Sequence, residues 1–287
     1  MAMRSRGAAL VLVLWLVALL AATIGTFALT AKVEYLQGRV LAQMAAGQQT
    51  ARAGLEYALS RLRPDPLRPA WQADGRPYRW QFDGRTVELR IVAETGKVDL
   101  NLAERPLLEG LLRALAVEPA RASQLAGAMV DWRDRDGLLQ PAGGAESGDY
   151  AAAGLPYGPK NAPFETVGEL QLLLGMDAAL YTRLAPLVTV FGTPQPDVRF
   201  ADAPVLTAMG LEAAQVIAAR ERGPMAVIDG TSPAPPASAG NGTYSIDSRV
   251  QLGGERQVVL RAVVCAGSGV GTGGYTVIRW EQGAAAR

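Results

Sequence analysis

The alternation of hydrophobic and polar positions changes rhythm along this chain, and each rhythm predicts a different element. Residues 8–31 form an uncharged, mostly apolar run. As a helix it is long enough to cross ~30 Å of hydrocarbon. The run passes without proline into a polar stretch where Leu36, Val40, Ala51, Leu55, Ala58, Leu59 and Leu62 recur at near-helical spacing. Pro64 and Pro66 end it. The pattern predicts one helix over 8–63, about 80 Å long. Its first part (8–31) lies in lipid, and the apolar stripe of its second part faces a soluble domain. Gly38, Gly47 and Gly54 are its weak points.

The rhythm then switches to strands. Tyr78, Trp80 and Phe82, the pair Asp83-Gly84, then Val87, Leu89 and Ile91 spell two alternating runs around a tight turn. From 99 to 230 helical segments near 107–115, 122–132, 167–174, 178–187, 204–209 and 212–220 follow one another with frequent breaks. Residues 231–243 are a Pro/Gly/Ser linker. Strands return over 244–250, 257–265 and 275–280. Strands that bracket a helical block predict an α+β chain: a small antiparallel sheet (64–98 and 244–287) with a helical domain (99–230) inserted into it.

The order of features at the N-terminus adds a processing signal. Arg4 and Arg6 precede Gly7, and only then does the apolar run begin. A secretory signal peptide has its cleavage site after the apolar segment. Here the candidate cut, between Gly7 and Ala8, comes before it, as in type IV prepilins, and the helix stays on the mature chain. A plain membrane anchor is the alternative reading. In both, the two arginines hold the short end in the cytoplasm, and residues 32–287 lie outside it.

Composition removes several chemistries. The chain of 287 residues has no His, one Cys and a net charge of +1. Ser-His-Asp and Cys-His catalysis and His-containing zinc sites are therefore absent. No Lys sits in a Ser-x-x-Lys, and nothing points to an enzyme. Cys265, in the apolar run after Val258, reads as a small core residue. The helical block is acidic, with ten Arg/Lys against seventeen Asp/Glu, while the rest of the chain is basic.

The acids of that block concentrate in one loop. Asp131, Asp134, Asp136, Glu146 and Asp149 lie among Gly137, Gly143, Gly144 and Gly148. Hard oxygen donors on a bendable loop suit calcium, which accepts irregular shells. An EF-hand is excluded, because Trp132 and Gly143 stand where its first Asp and its bidentate Glu belong. Pairing of the acids with Arg133 and Arg135 in a solvated loop is the alternative. Two further segments, 167–186 with a turn at Gly175-Met176-Asp177 and 203–224 with a turn at Met209-Gly210-Leu211, look like helix-hairpin-helix elements. Such elements bind DNA phosphate through helix N-termini. The negative charge of the block and the lack of paired glycines in both turns argue against nucleic acid.

With these pieces in place, the chain resembles the K-type minor pseudopilins of bacterial type II secretion systems. The resemblance rests on the leader Arg6-Gly7-Ala8-Ala9-Leu10, on 95–101 (TGKVDLN), on 131–136 (DWRDRD) with 144–146 and 149–150, on 161–164 (NAPF) with 167–170, and on the closing run 274–280. It implies the pseudopilin fold: a long N-terminal transmembrane helix on a small antiparallel sheet, here with a large inserted α-helical domain. It also implies removal of residues 1–7 by prepilin peptidase and N-methylation of Ala8. The site is then single-pass in the inner membrane with a periplasmic domain, and the partners are the I- and J-type minor pseudopilins and the major pseudopilin filament. Structural calcium is implied, with Asp134, Asp136, Glu146 and Asp149 as its ligands; Asp131 is expected to lie outside the shell, ending the preceding helix. Most pilins carry a Glu as fifth residue of the mature chain, where it neutralises the terminal ammonium of the neighbouring subunit. After cleavage at Gly7 the fifth residue here is Leu12. A subunit with none ahead of it needs no such carboxylate, which fits a place at the filament tip. A minor pilin of a related type IV system is the alternative, and a membrane-anchored DNA-uptake protein a more distant one.

Overall fold

The computed structural model describes residues 5–62, 70–140, 143–221, 242–252, 256–267 and 274–282. Residues 1–4 of the leader, Pro64, Pro66 and linker residues 231–241 lie outside them. Helix α1 (Ser5–Arg61) is continuous over 57 residues, about 85 Å. Its apolar first part, with Leu12 among its solvent-facing residues, packs against nothing. Leu36, expected on the packing stripe, is exposed too. Burial begins at Gly47 and continues through Ala51, Leu55, Ala58, Leu59 and Leu62.

That buried stripe lies on a five-stranded antiparallel sheet built from β1 (Asp74–Phe82), β2 (Arg85–Ala93), β5 (Gly242–Gln251), β6 (Gln257–Ala266) and β7 (Tyr275–Gln282), in the order β1-β2-β5-β6-β7. Asp83 and Gly84 turn the first hairpin with φ of 49° and 70°. Two left-handed residues give the turn whose twist matches the strands. Strand alternation sends Val87, Leu89, Ile91, Ile246 and Val250 toward α1, where all are fully buried. Burial of each is worth about 1.5–3 kcal/mol. The aromatic residues of β1 close the edge: Tyr57 of α1 stacks on Trp80 at 4.4 Å, and Trp71 on Tyr78 at 4.2 Å. Cys265 is half-buried on β6 and is not a core residue as its apolar neighbours suggested.

Strands β2 and β5 are neighbours, with Ala93 opposite Tyr244. The described residues between them in sequence are therefore an insertion at one end of that strand pair. The described part of the insertion has its own apolar core around Leu108, Leu111, Leu125, Met129, Tyr150 and Leu170. Its elements are β3 (Val98–Asp99), α2 (Arg105–Ala114), α3 (Pro119–Arg133), α4 (Ser147–Ala152), α5 (Ala178–Leu184), β4 (Val188–Thr189), α6 (Ala203–Ala208) and α7 (Ala213–Glu221). Strands β3 and β4 pair in parallel. The segment 167–174, predicted as a helix, is a 3-10 turn over Val167–Leu172. Helix α4 and the pair β3–β4 are too short to show a period and were not anticipated.

Candidate cation site

Helix α3 positions the acidic loop. Glu118 accepts the backbone N–H groups of Ala120 and Arg121, each at 3.0 Å, and Pro119 follows it at the first helical position. At the other end the Asp134 N–H bonds to the Val130 carbonyl at 3.0 Å, and the chain leaves the helix. The loop returns over α3 at Gly143-Gly144. A Cβ on Gly127 would collide with the Gly143 carbonyl oxygen, and one on Gly144 with Asp131 Oδ2. Close backbone approach here requires glycine on both sides. Gly127→Ala is therefore expected to destabilise the chain by about 2 kcal/mol, against the gain of about 1 kcal/mol that the same change brings in an open helix. Thermal unfolding of the variant checks the sign.

The return path brings Ala145 N–H to Asp131 Oδ2 at 2.8 Å. Asp131 is fully buried. Its Oδ1, together with Asp134 Oδ1 and Glu146 Oε1, is buried without a hydrogen-bond partner. These three carboxylates feel one another. Burial raises the pKa of Asp131, and the charge of Asp134 adds to it. Burial raises Glu146, helped by Asp131, Asp134 and Asp136. Burial and the Asp136 charge raise Asp134. Desolvated oxygens that raise one another's pKa are the condition a cation relieves. Among the described residues no three Asp, Glu or Cys side chains form a group that could hold a metal ion. The donor chemistry nevertheless fits a hard divalent cation: all oxygen, no His, no Cys.

The residues expected from sequence divide in the structure. Asp134 and Glu146 are half-buried, each with one oxygen shielded from solvent. Asp136 is exposed and accepts the Leu138 N–H at 2.9 Å, while its charge still reaches Asp134 and Glu146. Asp149 turns away to accept the Glu146 N–H at 2.9 Å, capping α4. Asp131, set aside from the sequence, is the most deeply buried of the five. Its position was readable: it lies one helical turn after Gly127 and Ala128 on the buried face of α3. Arg133 lends its charge to Asp134 but hydrogen-bonds elsewhere. It donates to the carbonyls of Leu100 at 2.5 Å and Ala103 at 2.6 Å.

The other motif residues bond to one another. Trp132 Nε1 donates to Glu169 at 3.2 Å, and Lys160 bonds the same carboxylate at 3.2 Å. Asn101 donates to the Phe164 carbonyl at 2.9 Å and accepts its N–H at 2.7 Å. The buried Tyr150 hydroxyl accepts the Leu174 N–H at 3.2 Å. Segments far apart in sequence are thus tied together. At the first helix-hairpin-helix-like turn, the N-terminus of α5 is occupied by the protein's own Asp177, which accepts the Leu180 N–H at 2.7 Å and pairs with Arg121. At the N-terminus of the chain the backbone of Gly7 and Ala8 is already helical.

Comparison with known proteins places these features. The model of the family described as type II secretion system (T2SS), protein K matches residues 88–194. Proteins named type II secretion system protein K are similar over part of their length. The Klebsiella pneumoniae protein is 51% identical over 79 residues, 27% of this chain and 24% of that protein. The Pectobacterium carotovorum protein is 35% identical over 106 residues, 35% of this chain and 32% of that one. The matched stretches therefore span only about a quarter to a third of these relatives. A chain in the crystal structure of the GspK-GspI-GspJ complex from enterotoxigenic Escherichia coli superposes with a TM-score of 0.62 at 17% identity, over 87% of this chain and 100% of that chain. Residues 88–194 thus match the protein K family of type II secretion systems, and the chain shares the fold of a chain of the GspK-GspI-GspJ complex.

Proposed function

We propose that this chain stands at the tip of a type II secretion pseudopilus, starts its assembly and caps it during protein export. The observation that carries this reading is the helical domain inserted between the adjacent strands β2 and β5. A filament of pseudopilins grows by stacking long helices, and a domain of this bulk beside the sheet leaves no room for a subunit above. Leu12 supports the same place, since a terminal subunit has no neighbouring ammonium to neutralise. A carboxylate without a partner at membrane depth is costly, so its replacement by leucine is favourable there. The I- and J-type minor pseudopilins are the proposed partners, along α1, in the inner membrane with the remaining domains in the periplasm. A minor pilin of a related type IV system is the second reading. Nucleic-acid binding is disfavoured by the charge of the helical block and by Asp177 at the turn.

Calcium is the proposed structural ion, held by Asp131, Asp134 and Glu146 with Asp136 at the rim. When bound it supplies positive charge to oxygens that otherwise repel, and so fixes the loop against α3. Asp149 positions Glu146 by capping α4.

Processing tests the pilin-type assignment. In cells with prepilin peptidase the mature chain is expected to begin at Ala8 and to weigh one methyl group more than its sequence. Gly7→Leu is expected to leave the leader in place. Intact-mass measurement reads both, and a native chain that keeps residues 1–7 in the presence of the peptidase would reduce α1 to a plain anchor.

A further inference from the structure

Three carboxylates are almost wholly buried among the described residues: Glu94, Asp99 and Asp131. Asp131 belongs to the cation site. Asp99 caps its own loop, accepting the N–H groups of Asn101 at 2.7 Å, Leu102 at 2.9 Å and Gly192 at 2.7 Å. Glu94 has no part in either arrangement. It follows β2 directly and opens the 3-10 turn Glu94–Gly96 that leads the chain out of the sheet and into the helical domain.

Its two oxygens are bound from three directions. Oε1 accepts Lys97 Nζ at 2.6 Å and the Ser245 hydroxyl at 2.5 Å, and Oε2 accepts the Thr189 hydroxyl. Ser245 belongs to β5 of the sheet, Thr189 to β4 of the helical domain, and Lys97 to the connection between them. Thr189 is itself fixed, accepting the Phe191 N–H at 3.0 Å. One carboxylate therefore joins two bodies whose apolar cores are separate clusters. The same turn is also held by the segment 197–200. The Asp197 N–H donates to the Thr95 carbonyl at 2.7 Å, and Gly96 lies so close to Phe200 that a Cβ would stand 2.6 Å from its carbonyl carbon.

Hydrogen bonds to a buried charge are directional and strong, and losing one partner leaves a desolvated group behind. Apolar contacts between two bodies tolerate sliding, whereas a carboxylate with donors on both bodies does not. We propose that Glu94 is a positioning residue that locks the helical domain at one angle on the sheet. The lock follows from these contacts; its use, to hold the capping domain in register over the filament, rests on the tip reading given above.

The test is a distance measurement between the two bodies. Nitroxides at the exposed positions Arg79 of β1 and Gln171 of the helical domain, on full-length protein in detergent with Cys265→Ser, report the angle by pulsed electron resonance. The native lock predicts one narrow distance peak. Glu94→Ala is expected to broaden it several-fold, Glu94→Gln less so, and Glu88→Ala, at a half-buried position of β2 paired with Arg90 of the same strand, not at all. Ser245→Ala and Thr189→Val each cut one arm with little change in volume and should broaden the peak even if Glu94→Ala fails to fold. An unchanged narrow peak in the folded Glu94, Ser245 and Thr189 variants overturns the lock, whatever happens to export. A broadened peak with full export in cells upholds the lock and counts against the tip reading.

Discussion

Gly54→Leu is expected to detach α1 from the sheet, lowering stability by about 3 kcal/mol, the upper end for overpacking a filled core. On the native backbone the first added carbon alone would stand 2.7 Å from Ser248 Oγ and 2.8 Å from Val87 Cγ1. Both belong to strands at the centre of the sheet, so neither swings aside easily. Gly47, two turns earlier on the same face, is as tight, with Leu252 Cδ2 2.5 Å from a Cβ. Two of the three glycines that looked like weak points of a long helix, Gly47 and Gly54, are positions where it comes closest to the sheet. Gly38 is the control. It is exposed with nothing within 4 Å, so Gly38→Ala should stabilise the helix by about 1 kcal/mol through propensity alone. Thermal unfolding of both variants reads opposite signs, at roughly 2–4 °C per kcal/mol for a domain of this size. A Gly54→Leu chain that melts like the native one would contradict the packing of α1 on the sheet.

Calcium is expected to raise the melting temperature of chelator-stripped protein, with Asp131 as the decisive residue. At a hundredfold excess over Kd, a ligand specific to the folded state stabilises it by about 2.7 kcal/mol. Asp131→Asn should remove this response while raising the stability of the calcium-free protein. It deletes a buried charge that has Asp134 and Glu146 as like-charged neighbours, and it keeps an oxygen for the Ala145 N–H. Asp134→Ala with Asp136→Ala should also abolish binding. Asp149→Ala should lose only the α4 cap, about 1 kcal/mol, and still bind. Calorimetric titration with calcium separates these outcomes. Full binding by Asp131→Asn would return the ligand set to the four acids picked out from sequence.

The parts of the fold that sequence revealed are those that repeat. The hairpin at Asp83-Gly84, the unbroken helix and the strands after the linker each carry a period or a turn signal. Placing strands on both sides of a helical block was enough to read the insertion, and the pairing of β2 with β5 is its structural form. What escaped is short or non-local. Helix α4 has six residues, fewer than two turns, and its acids read as loop. The burial of Asp131 was not read because it stands near the end of a helical run, although its face of α3 is buried and Gly144 folds back onto it. Glu94 meets Ser245 across 151 residues of sequence, a separation over which no local pattern carries information. The motif residues Asn101, Trp132, Phe164 and Glu169 could be quoted but not explained, because their hydrogen bonds join four segments.

Co-expression of the full-length chain with I- and J-type minor pseudopilins, followed by native mass measurement of the detergent-extracted assembly, tests the central claim most directly. The account predicts one copy of each subunit in a single complex, with this chain absent from the filament shaft. Recovery of the chain without either partner, or in many copies along a filament, would contradict it.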